Sequence, residues 1–181
     1  MADLKTTYVG LKLRNPFIVS SSGLTNSINI IEEIEQAGAG AVVLKSLFEE
    51  QIRNETGQLT DFNDYHAEAY DYINTYVKDN SVDNYLNLIK QAKLAVDIPI
   101  IASINCISGK DWTSYAKQIE TAGADALELN IYTMALDKST DGFKYEQMYF
   151  EIVEAVQKAI NIPVIVKLGY YFTNLVYSLS C

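Results

Sequence analysis

Cysteine and histidine are nearly missing from this chain, which has Cys106, Cys181 and the single histidine His66 in 181 residues. Neither a CxxC pair nor a metal-like cysteine–histidine spacing occurs, so no zinc or other metal site is expected. Long apolar runs are missing too, since none approaches the ~20 residues that a bilayer span requires. The opening Met1-Ala2-Asp3-Leu4-Lys5 lacks the apolar run of a signal peptide, and the expectation is a cytoplasmic protein without membrane contact. Basic residues are scarce: 14 Lys and Arg stand against 23 Asp and Glu, giving a net charge of −9 and a pI near 4.6. Such a field repels phosphate backbones and argues against a nucleic-acid partner. A small anion remains compatible, because a few lysines and helix N-termini set the local potential inside a pocket.

What is present reads as an ordinary globular chain, 49% hydrophobic and 20% charged. A chain of this size hides on the order of 70% of its unfolded surface, enough for one domain, here residues 1–181. Short apolar runs recur at Phe17 to Ser20, Ala41 to Lys45, Ile100 to Ile104, Ala126 to Ile131 and Val164 to Leu168. They are apolar on both faces, as strands of a helix-covered parallel sheet must be. Amphipathic stretches alternate with them at Ile28 to Ala37, Val82 to Val96, Trp112 to Ala122 and Tyr145 to Ile160. Thr6 to Arg14 reads as a β-hairpin around Gly10, a floor plug ahead of the first barrel strand.

Two internal repeats support the same unit. Ala37-Gly38-Ala39 matches Ala122-Gly123-Ala124, and each glycine suits the left-handed turn that ends a helix. Asp97-Ile98-Pro99-Ile100-Ile101 matches Asn161-Ile162-Pro163-Val164-Ile165, with a proline between helix and strand. Repeated βα units fit a barrel or a doubly wound sheet. The acidic, tyrosine-rich stretch from Leu47 to Asp79 is long for a connection, and reads either as a rim insertion or as a substrate lid.

In parallel βα folds the ligand sits at the carboxyl ends of the strands. Those ends here are Ser20-Ser21-Ser22-Gly23, Lys45-Ser46, Ser103-Ile104-Asn105, Asn130-Ile131-Tyr132-Thr133 and Lys167-Leu168-Gly169, all of them polar. Lys45 and Lys167 each end an apolar strand, where an ammonium group needs an anionic partner. Phosphate, the electron-rich end of a flavin ring or Glu128 on the neighbouring strand would serve as that partner; alternatively a lysine snorkels to the rim, or one of the two is a desolvated Schiff-base lysine. Asn130 both donates and accepts, which suits an imide or amide edge.

Asn15-Pro16-Phe17 leading into Ser21-Ser22-Gly23, followed by Lys45-Ser46, resembles the opening of the dihydroorotate dehydrogenase family. The run from Ile100-Ile101-Ala102-Ser103-Ile104-Asn105-Cys106 through Asp111-Trp112 to Leu127-Glu128-Leu129-Asn130 is similar to the flavin domain of dihydropyrimidine dehydrogenase. Val166-Lys167-Leu168 and Tyr171-Phe172 match the family's fifth strand. The resemblance implies a partial TIM (β/α)8 barrel, its first five βα units preceded by the hairpin, that binds FMN and oxidises dihydroorotate or a related dihydropyrimidine. It further implies that Ser21, Ser22, Gly23, Lys45, Ser46, Asn105, Asn130 and Lys167 line the cofactor, with the two lysines at its polar edge.

Three departures accompany the likeness. The family follows its asparagine with Leu-Ser-Cys-Pro or a serine variant, whereas Ile131-Tyr132-Thr133-Met134 stands here and puts Thr133 at the base position. A hydroxyl serves as base only if a neighbour or water takes its proton. The substrate segment Met-Gly-Leu-Pro-Asn is replaced by His66-Ala67-Glu68-Ala69, so the resemblance does not extend to orotate specificity. The sequence ends in what should be the helix after the fifth strand, short of the ~250 residues of a full barrel. Impaired activity and weak FMN binding are the expectation, with open edge strands available to a homo-oligomer. Two other readings compete: a Schiff-base aldolase or lyase using Lys45 or Lys167, and a non-catalytic half-barrel.

Overall fold

The turn at Val9-Gly10, with φ of 45° and 86°, folds Thr6–Tyr8 (β1) back onto Leu11–Leu13 (β2) as an antiparallel hairpin. The computed structural model describes residues 2–48, 82–106, 112–131, 141–169 and 172. After the hairpin come Ile18–Val19 (β3), Ala41–Val43 (β4), Leu47–Phe48 (β5), Ile100–Cys106 (β6), Ala126–Ile131 (β7) and Val164–Lys167 (β8). Helices Ile28–Gln36 (α1), Val82–Ala95 (α2), Trp112–Ala122 (α3) and Gly142–Ala159 (α4) alternate with them. The sheet is parallel in the order β3-β4-β6-β7-β8, with β5 continuing alongside β6 beyond β4. Five parallel strands thus curl into the half-barrel expected of the first five βα units.

Strand pleating divides the side chains into two layers. Val42, Leu44, Ile100, Ala102, Ile104, Leu127 and Leu129 face outward and bury against Ile31, Ile89, Ile119 and Val156 of the helices. Ala41, Val43, Ile101 and Ala126 face inward and pack with Leu13 of the hairpin, joined by Leu11, Ile18 and Ile165. The hairpin therefore does plug the amino end of the half-barrel with aliphatic side chains.

The repeats recognised in the sequence perform the same structural work twice. Gly38 and Gly123 both take φ of 98°, ending α1 and α3 in a conformation that costs a side-chain-bearing residue energy. One residue before each Ala-Gly-Ala lies a helix residue, and one further back a glutamate: Glu35 and Glu120. Glu35 Oε1 accepts from the N–H groups of Asp97 and Ile98 at 2.8 and 3.1 Å. Glu120 Oε1 accepts from Asn161 and Ile162 at 2.7 and 3.2 Å. Each carboxylate clamps the Ile-Pro turn of the following unit to the preceding helix, satisfying two donors where the proline leaves the chain without regular pairing.

Arg14 and Asn15 fasten the hairpin to the first unit. The Arg14 guanidinium donates to the carbonyls of Glu35 and Ala39, and the Asn15 amide donates to that of Gly38, at 2.8 Å. A cation at a helix C-terminus also offsets the negative end of the helix dipole. Gly40 sits so close to Asn15 that a Cβ there would lie 2.2 Å from the Asn15 carbonyl oxygen.

Two element boundaries differ from the sequence reading. α4 begins at Gly142 rather than Tyr145, because Asp141 caps it and accepts from the Phe143 N–H at 3.1 Å. The second barrel strand, expected to run unbroken to Lys45, stops at Val43 and resumes at Leu47. Val43 pairs with Ile101 and Leu47 with Ile104, an advance of four residues against three, so the strand carries a bulge with one extra residue. Leu47 and Phe48 consequently belong to the sheet, not to the long connection that the sequence suggested.

Candidate active site

The bulge lies where the barrel interior changes from apolar to polar. Leu44 is the last residue to use the regular ladder, its N–H reaching the Ile101 carbonyl at 2.9 Å. The next two N–H groups turn away from β6: that of Lys45 reaches the Thr25 carbonyl at 3.2 Å and that of Ser46 the Ser21 hydroxyl at 2.9 Å. On the side that faces the bulge this leaves the Ser103 backbone without a strand partner. The phenol of Tyr85, reaching in from α2, fills the gap, accepting from the Ser103 N–H at 2.8 Å and donating to its carbonyl at 3.0 Å. Burial pushes the Tyr85 phenol up from its ordinary value; the Ser103 backbone contact opposes this, and the Glu128 carboxylate adds to it. Tyr85 accordingly stays protonated and can both donate and accept.

Above the aliphatic floor, four side chains from adjacent strands form one hydrogen-bonded row. The hydroxyls of Ser21 and Ser46 are 3.1 Å apart, those of Ser46 and Ser103 2.8 Å, and Ser103 donates to Glu128 Oε1 at 2.8 Å. Ser103 is fully buried and Glu128 half-buried. Inside a sheet otherwise lined by Ile101, Val43 and Ala126, a carboxylate must have such donors.

One level further toward the carboxyl ends, Asn105, Asn130 and Lys167 are register partners across β6, β7 and β8. Their neighbours Ile104, Leu129 and Val166 pack outward, so alternation puts the two amides and the ammonium on the inner face. Asn105 and Asn130 are half-buried and Lys167 exposed.

The residues expected at the site therefore divide into groups. Ser21 and Ser46 meet directly, and Asn105, Asn130 and Lys167 share a row. Ser22 instead caps a short 3-10 helix at Gly23–Thr25, accepting from Leu24 while its backbone N–H donates to the Thr25 hydroxyl. Lys45, expected at the end of a continuous strand, occupies the bulge. It lines a cleft of about 410 Å³ with Asn26, Ser27, Ser46, Tyr85 and Gln91, where the start of α1 faces α2. Thr133, the His66 segment, the rest of the connection after Phe48 and the residues after Phe172 lie outside the described residues.

Neither the role of Tyr85 nor the link from Ser103 to Glu128 is visible in the sequence, where Glu128 stands only as a partner for a lysine. The available signal was the placement of Glu128 in Ala126–Ile131, the one acid on a strand with three fully or nearly fully buried neighbours, Leu127, Leu129 and Ile131. Nothing in the amphipathic pattern of α2 distinguishes Tyr85 from an ordinary core tyrosine.

Parallel βα units curled around a plugged apolar floor, with polar side chains gathered at the carboxyl ends, define a barrel of the (β/α)8 type. Solved structures agree on the fold. The chain superposes on dihydrodipicolinate synthase from Agrobacterium tumefaciens with a TM-score of 0.55 and 16% identity, over 90% of this chain and 48% of that one. N-acetylneuraminate lyase from Mycoplasma synoviae gives 0.51 and 13%, over 90% and 49%. At such identities the likeness speaks for architecture alone.

The sequence decides among barrels: the chain belongs to the dihydroorotate dehydrogenase family, whose model matches residues 3–176. It is 29% identical to the catalytic subunit of dihydroorotate dehydrogenase B (NAD(+)) from Thermoplasma volcanium, over 97% of this chain and 57% of that relative. It is likewise 29% identical to the NAD-dependent dihydropyrimidine dehydrogenase subunit PreA of Escherichia coli, over 92% of this chain and 42% of that one. The chain thus spans 57% of the length of the one relative and 42% of the other, about half of the curated relatives it matches.

Proposed function

We propose that the chain contributes the flavin- and substrate-facing strands of an FMN-dependent oxidoreductase that acts on the carbon–carbon bond of dihydroorotate or a related dihydropyrimidine. The observation that carries this reading is the convergence, on one inner face, of the Ser21–Ser46–Ser103–Glu128 row and the Asn105–Asn130–Lys167 row, in a chain of this family.

The donor set fits a flavin. Its ring needs donors at carbonyl oxygens, an acceptor at an N–H and a cation near the edge that becomes negative on reduction. Asn105 and Asn130 supply amides, Ser21 and Ser46 hydroxyls, and Lys167 the cation, with Lys45 entering from the bulge. When bound, FMN supplies the hydride acceptor. The protein groups do the rest: Asn130 orients an amide or imide edge of the substrate, and Lys45 and Lys167 stabilise developing negative charge. By its place in the sequence after Asn130, Thr133 stands where the family carries its base, and a hydroxyl there would take a substrate proton only by passing its own to a neighbour or water.

Anaerobic addition of dihydroorotate, and separately of dihydrouracil, to the FMN-loaded chain tests the reaction. Bleaching of the flavin absorption by either compound supports it and names the better substrate. An unchanged spectrum with both, from a chain that holds FMN, refutes a dihydropyrimidine substrate.

A further inference from the structure

We infer that Glu128 fixes the hydrogen-bond polarity of the serine row, so that Ser21 and Ser46 meet a bound flavin only as acceptors and face the N–H at its N3 position. This deepens the proposed function and rests on the flavin reading.

A hydroxyl carries one proton, and a carboxylate carries none. Ser103 spends its proton on Glu128 Oε1, so between Ser103 and Ser46 the donor is Ser46. Ser46 has then spent its own, so between Ser46 and Ser21 the donor is Ser21. Ser21 in turn accepts from the backbone N–H of Ser46. All three hydroxyl protons point along the row toward Glu128, and what remains at Ser21 and Ser46 for a ligand is lone pairs.

An acceptor-only surface repels carbonyl oxygens and selects N–H groups, because a buried acceptor facing another acceptor leaves both unpaired. The oxidised flavin ring carries a single N–H, at N3, flanked by two carbonyls. The acceptor row suits that N–H, and the Asn105, Asn130 and Lys167 row holds the donors that the flanking carbonyls require. Glu128 acts through Ser103 and is thus a positioning residue, with no contact to the flavin needed.

The test uses the full chain and two probes, FMN and N3-methyl-FMN, with affinities read from quenching of flavin fluorescence. The wild-type chain is expected to bind FMN about tenfold more tightly, the effect of one lost hydrogen bond at a partly buried acceptor. In Glu128→Leu the Ser103 proton is released and the row can reverse; in Ser103→Ala the row is cut. In both variants the hydroxyls of Ser21 and Ser46 can also donate to the carbonyls that the two flavins share, so the preference for FMN is expected to shrink to about threefold. Since either variant alone carries the comparison, loss of folding in one leaves the test intact. Equal wild-type affinities overturn the inference and leave the flavin reading standing. Discrimination as large in a folded variant as in the wild type overturns the role of Glu128. A wild-type chain that binds neither probe overturns the flavin reading and the inference together.

Discussion

Tyr85 and Ser103 are joined by a reciprocal pair of hydrogen bonds, in which one phenol accepts from the backbone N–H and donates to the backbone carbonyl of the same residue, at 2.8 and 3.0 Å. A side chain from α2 thereby stands in for the strand that the bulge removes. The bulge lets Ser46 turn inward to meet Ser21 and Ser103, so a helix residue underwrites the geometry of the barrel interior.

Replacing Tyr85 by Phe removes both bonds and leaves a buried N–H and C=O unpaired. The variant is expected to lose about 2–3 kcal/mol of stability at neutral pH, read as a lower urea midpoint with an unchanged slope. The difference depends on pH. The folded phenol titrates above the ordinary tyrosine value, so the unfolded chain gives up that proton first. This part of the stability is complete below about pH 10 and is lost as pH rises further. The gap between wild type and Tyr85→Phe should therefore narrow above about pH 10, and a constant gap would contradict the account.

Glu35 and Glu120 occupy equivalent places in successive units and each accept two backbone N–H groups. Single alanine substitutions are expected to cost about 1 kcal/mol each, since the carboxylates are half-buried and water can partly replace them. The sites share no hydrogen-bond partner, so the double variant should lose the sum. Strong non-additivity in chemical denaturation would show that the repeats are not independent clamps.

At Gly40 the obstacle to substitution is contact, because the Asn15 carbonyl oxygen lies 2.2 Å from the position of an added Cβ. That oxygen is backbone and can yield only if the hairpin link moves. Gly40→Ala is expected to lose about 3 kcal/mol, whereas Gly142→Ala, with nothing within 4 Å, should be neutral or slightly stabilising. Urea midpoints of the two variants, measured side by side, check the contrast.

The course of the fold was legible where local chemistry sets it. Trp112–Ala122 and Ala126–Ile131 fall on the residues that their periodicity indicates, and the Ala-Gly-Ala and Ile-Pro repeats mark the joints between units. The break after Val43 was hidden, because Ala41 to Lys45 is uniformly apolar until its last residue, and a bulge is defined by a partner strand far along the chain. The site was legible as a list of polar strand ends. Its connectivity was not: that Ser103 binds Glu128 and not a lysine follows from the register of β6 and β7, which brings the two opposite each other. Tyr85 reaches the sheet from a separate element, a relation that no spacing in the sequence encodes.

The most direct test of the central claim is the visible absorption spectrum of the chain after incubation with FMN and gel filtration, beside a control, Lys167→Ala, that removes the cation of the inner row. Flavin bands are expected to travel with the wild-type protein and to be lost or much reduced in the control, since the lysine supplies charge at the flavin's polar edge. A colourless wild-type chain, or equal flavin retention in both proteins, would contradict the placement of a flavin on this face of the half-barrel.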